Sequence, residues 1–174
     1  MKLKFQESEI VLHANNYVSQ QNELEKVKEN ELIALRNTVQ RAGHLTKAQM
    51  RLIAMWKSPR SAHHIENNTD GFIKEITSFA LKCEDRRARI ESLTLLDGVL
   101  WPTASVVLHL FHAEPHPILD FRALWSISVE VPSQYDFEFW ECYILFCRKI
   151  ASCNKVDMRV LDRALWQYSK DNQP

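Results

Sequence analysis

Residues 93–127 read LTLLDGVLWPTASVVLHLFHAEPHPILDFRALWSI, and the punctuation of this stretch decides the fold. A helical run ends at Leu96. Asp97-Gly98 makes a tight turn, where glycine supplies a backbone conformation other residues resist. Pro102 presets the first turn of a second helix, carrying Ala104, Val106, Val107, Leu108 and Leu110. Pro115 and Pro117 break the chain into a loop, and Asp120 stands where a short helix to about Ile127 needs a cap. The reading is helix, glycine turn, helix, loop, helix.

The same grammar extends outward. Residues 8–21 and 23–42 read as helices; in the second, Leu24, Val27, Leu32, Leu35 and Val39 recur at helical spacing. Gly43 is a stop signal. Thr46 and Gln49 have capping-box spacing and open a helix carrying Met50, Ile53, Ala54 and Trp56. Pro59 opens a short helix ending near Asn67-Asn68. Thr69 caps a helix to about Cys83, with Phe72, Ile73, Ile76, Phe79 and Ala80 expected to face inward. Residues 84–96, 136–152 and 157–170 complete the set, and Trp125, Trp140 and Trp166 are expected in the core. With only three glycines in 174 residues, a turn-rich sheet fold is disfavoured. The expected fold class is all-α: a multi-helix domain over 46–174 with a helix-hairpin-helix-like motif, preceded by a helical N-terminal appendage over 1–45.

Composition bounds the function. Apolar residues make up 45% and charged residues 25%, and 22 basic residues balance 22 acidic ones. That is a globular mix, without the basic excess of many nucleic-acid binders. No apolar run reaches membrane-spanning length, and the first residues lack a secretory h-region. Cys83, Cys142, Cys147 and Cys153 then read as reduced thiols in a cytoplasmic protein.

The hairpin carries the chemistry. A glycine turn before a helix N-terminus can offer backbone N–H groups to a phosphate. Asp120 has two readings: an N-cap, or a carboxylate placed to stabilise positive charge or activate water. Leu96, Gly98, Val99, Ala104, Ser105, Pro117, Ile118 and Asp120 stand in an order and spacing that resembles the helix-hairpin-helix DNA glycosylase superfamily, and within it the 8-oxoguanine glycosylase-like members. The resemblance covers about a fifth of the chain. It implies double-stranded DNA as partner and a flipped damaged base as substrate. It implies DNA-backbone contact through Gly98, Val99, Thr103, Ala104 and Arg122, and Asp120 as the catalytic carboxylate, stabilising charge on the sugar as the glycosidic bond breaks. Leu100 stands where the family carries a second glycine. Pro102 stands where bifunctional members carry a lysine nucleophile, so the implied enzyme is monofunctional and uses water. The cysteines do not match the family's iron–sulfur spacing, and no cofactor is expected.

Other features have quieter readings. His109, His112 and His116 have spacing that could present two ring nitrogens to a metal, but the prolines interrupt the helix and no metal is expected. Lys82 to Arg89 interleaves both signs and reads as a solvated helical face, with a DNA-backbone patch as the sharper alternative. Arg122 either pairs with another helix or meets a phosphate. The departures at Leu100 and Pro102, with zero net charge, also fit a second function: a non-catalytic helical protein that keeps the scaffold and binds protein or, weakly, DNA. Whether the chain is an enzyme stays open at this point, as does its oligomeric state.

Overall fold

Local capping chemistry places the helices. The computed structural model describes residues 1–174 and contains nine α-helices and no strand. They are α1 (Ile10–Gln20), α2 (Glu23–Ala42), α3 (Lys47–Lys57), α4 (Asp70–Lys82), α5 (Arg86–Leu93), α6 (Trp101–Phe111), α7 (Phe121–Ser126), α8 (Phe137–Cys153) and α9 (Met158–Asn172). Short 3-10 turns cover Glu7–Glu9 and Ala62–Asn67. Thr46 forms the expected capping box with Gln49. Thr69, Asp85, Asp120 and Asp136 each accept an N–H from the first turn they precede. Each such cap is worth about 1 kcal/mol. No helix is long and apolar enough to cross a membrane.

The helices group into two units. One is contiguous, Glu23–Glu114; the other joins Met1–Asn22 to Pro115–Pro174. These boundaries differ from a division at residue 45, and packing gives the reason. Within Glu23–Glu114, α6 is the hub, lying against α2, α3 and α5. It is apolar on nearly every side and buries Ala104, Val106, Val107, Leu108 and Phe111. Within the other unit, α9 lies against α1, α7 and α8. Gln167 at its middle donates to Gln20 of α1 at 2.8 Å. So α1 is not an appendage: its partner is the last helix.

Three expectations about faces are corrected. Phe72 and Phe79 point outward, 41% and 49% exposed. The buried stripe of α4 is Ile73, Thr77 and Ala80, facing its main neighbours α3 and α5, and residues about 100° round the helix stay in water. Leu24 and Val27 of α2 are exposed as well, while Leu32 and Val39 are buried. Of the three tryptophans assigned to the core, Trp140 is fully buried, but Trp125 and Trp166 are half-buried.

The stretch from Lys82 to Arg89 also departs from a simple solvated face. Arg89 is 2% exposed. Its guanidinium donates to the carbonyls of Cys83 at 2.9 Å and Glu84 at 3.2 Å, and to the Glu114 carboxylate at 3.2 Å. It thus ties the α4–α5 connection to the segment after α6.

Candidate functional site

The hairpin over 96–104 is closed by its own unit. The Val99 N–H donates to the Leu96 carbonyl at 3.0 Å. Asn68 clamps Asp97 from both sides: its Oδ1 accepts the Asp97 N–H at 2.9 Å, and its Nδ2 donates to the Asp97 carbonyl at 3.0 Å. Gly98 has φ +82°, and a Cβ there would lie 3.0 Å from the Ser61 carbonyl oxygen and 3.1 Å from the His64 Cβ. The glycine is therefore required, and what approaches it closely is protein backbone. Val99, Thr103 and Ala104 are buried, with the Thr103 hydroxyl 3.3 Å from that of Ser58. Leu100, in the second-glycine position, is exposed, as is Asp97.

Asp120 and Arg122 belong to the other unit. Asp120 is partly exposed, and its Oδ1 accepts the Arg122 N–H at 2.9 Å, capping α7. Beneath it is a buried polar cluster. The Tyr143 hydroxyl donates to the Ile118 carbonyl at 2.9 Å. The Ile118 N–H donates to Asp162, which also takes the Arg159 guanidinium at 2.6 Å. Burial, reinforced by the neighbouring Cys147 and by the charges of Asp162 and Asp120, holds the Tyr143 hydroxyl well above its ordinary range. Burial pushes the Cys147 thiol up in the same way. Partial burial and then the Asp120 charge raise Tyr135. These side chains can hold protons and fix Asp120's surroundings; none is set up as a nucleophile.

Of the residues with metal-ligand spacing, His112 and the neighbouring Glu114 are both bonded within their own unit, and His109 does not group with them. The local bonding competes with a metal. Arg89 holds the Glu114 carboxylate, and His112 Nδ1 accepts the Glu114 N–H at 3.0 Å. A neutral ring accepting at Nδ1 carries its proton on Nε2, so ligation by His112 requires breaking that bond.

One surface was not legible as a site. Lys2 and Lys4 donate their N–H groups to the carbonyls of Ile127 and Ser126, both at 2.9 Å, and the Lys4 carbonyl accepts the Tyr168 hydroxyl at 3.0 Å. This fixed backbone carries Lys4 Nζ to 3.6 Å from the centroid of the Trp125 ring. The Arg122 guanidinium lies 5.1 Å from the Phe121 ring and 5.5 Å from that of Trp166, and Lys170 Nζ lies 5.4 Å from Trp166. Arg122 thus meets aromatic rings on both α7 and α9. The available signal was the pairing of each tryptophan with nearby cations in DFRALW and ALWQYSK. It was masked because tryptophan on a helix usually reads as core.

No family model, no curated protein and no solved structure matches the chain.

Proposed function

We propose that this chain is a non-catalytic helical binding protein whose ligand class is nucleic acid, held weakly and without base excision. The observation that carries the reading is the local engagement of the implied catalytic parts. Asp120 caps α7, the Asp97 amide donates to the Asn68 side chain and the Val99 amide to the Leu96 carbonyl, and the space beside Gly98 is filled by the backbone of Ser61 and Ile65. Cations paired with aromatic rings on α7 and α9 suit a polyanion with bases.

The second reading is a monofunctional glycosylase using Asp120. It is favoured by the partial exposure of that carboxylate and by its charge reaching Tyr135. The two separate in a base-release assay on duplexes carrying 8-oxoguanine, uracil, hypoxanthine or an alkylated purine. The expected outcome is no release, with Asp120→Asn keeping stability and Asp120→Ala losing about 1 kcal/mol, as a cap should. Release that Asp120→Asn abolishes would replace the binding reading with the enzyme. Binding of labelled DNA should weaken as salt rises, because phosphate contacts release counterions; a chain that binds no nucleic acid at low salt fails both readings.

A further inference from the structure

We infer that the α7–α9 surface is a binding site for single-stranded nucleic acid, with Lys4 acting as a movable cover on the Trp125 ring; the inference rests on the nucleic-acid reading above and names its site and strand form. A groove of about 470 Å³ is lined by Lys4, Phe121, Trp125, Glu130, Val131 and Gln173, among others. That volume lies in the range of small-ligand sites, with room for a base. Phe121 is 52% exposed, which leaves its ring open to a ligand. Glu130 is the one carboxylate in the lining and Lys4 the one cation.

The cations follow the aromatics outward. The Arg122 guanidinium lies near both the Phe121 and the Trp166 rings, and Lys170 Nζ lies 5.4 Å from the same indole. The surface thus pairs Lys4 with Trp125, Arg122 with Phe121 and Trp166, and Lys170 with Trp166. A single strand presents phosphates and unstacked bases together, and proteins take it with cations along the backbone and aromatic faces for the bases. A duplex hides its base faces and could use only the cations. Double-stranded DNA, the partner implied by the sequence resemblance, therefore suits this surface less.

Lys4 gives the site its resting state. Its backbone is fixed by Ser126 and Tyr168, but its side chain is exposed. In the free protein the ammonium covers the Trp125 face. When a strand arrives, the ammonium can swing from ring to phosphate on its four-carbon stem, opening the indole to a base.

The test is anisotropy of a fluorescein-labelled dT12 strand, a 12-mer of the same charge lacking bases, and a dT12·dA12 duplex, at low and high salt. The expected order is dT12 tightest, with the baseless strand and the duplex each at least about fivefold weaker, since loss of one stacked base costs at least that much. Phe121→Ala, Lys4→Ala and Lys170→Ala each weaken dT12 severalfold; all three change exposed side chains, and circular dichroism checks their folding. A baseless strand that binds as well as dT12 overturns the stacking site, and so does a duplex that binds as tightly. If dT12 binds but the three variants bind it equally well, this surface is wrong while the nucleic-acid reading survives. If no nucleic acid binds, the functional reading itself fails, and this site fails with it.

Discussion

Tyr143 and Cys147 lie one turn apart on α8, both fully buried and both held in their neutral forms. Their acidities are weaker in the folded chain than in the unfolded one, so the unfolded state gives up protons first as pH rises. The stability they contribute is complete below the ordinary thiol range, near pH 8.5. It declines as pH climbs beyond that, toward the raised folded values. We expect the urea midpoint to hold up to about pH 8 and then to fall, and to fall less steeply in Cys147→Ala. Tyr143→Phe adds a separate cost at neutral pH. It leaves the buried Ile118 carbonyl without its donor, worth about 1–3 kcal/mol. A midpoint in Tyr143→Phe equal to that of the unaltered chain would remove the hydroxyl from the account of this core.

At the scale of elements, Arg89 shows how one side chain can serve three segments. It reaches back to the carbonyls at the end of α4 and forward to Glu114. Arg89→Met keeps the bulk of the stem and removes the guanidinium, stranding two carbonyls. Glu114 is half exposed and regains water, so the expected loss is about 2–3 kcal/mol rather than the full cost of an orphaned buried charge. Thermal denaturation measures it, and a change under about 0.5 kcal/mol contradicts the stapling role. The helix boundaries were legible in the sequence because their causes are local. Thr46, Thr69 and Asp120 cap what they appear to cap, and Pro102 and Gly98 stand where the turn needs them. The buried faces were less legible, because a face is chosen by its partner. Phe72 looks as apolar as Ile73, and only the placement of α4 between α3 and α5 separates them. For the same reason the aromatic–cation surface escaped the sequence, whereas Asp120 as an N-cap did not.

At the scale of the whole molecule, charge balance governs behaviour in solution. With 22 charges of each sign and an isoelectric point near 7.1, the protein carries almost no net repulsion at neutral pH. Exposed Leu24, Phe72, Phe79, Leu95 and Leu100 add apolar contact area. We expect solubility to pass through a minimum near pH 7 and to rise on either side, measured as the protein remaining after centrifugation across a pH series. A flat profile would assign self-association to the apolar positions alone. The connectivity of the α9-centred unit has another effect, felt while the chain is being made. Gln20 and Gln167, which bond across α1 and α9, are 147 positions apart. Translation runs at roughly 5–20 residues per second. Helix α1 therefore emerges from the ribosome roughly seven to thirty seconds before the helix that covers it, and during that interval its inner face is available to chaperones.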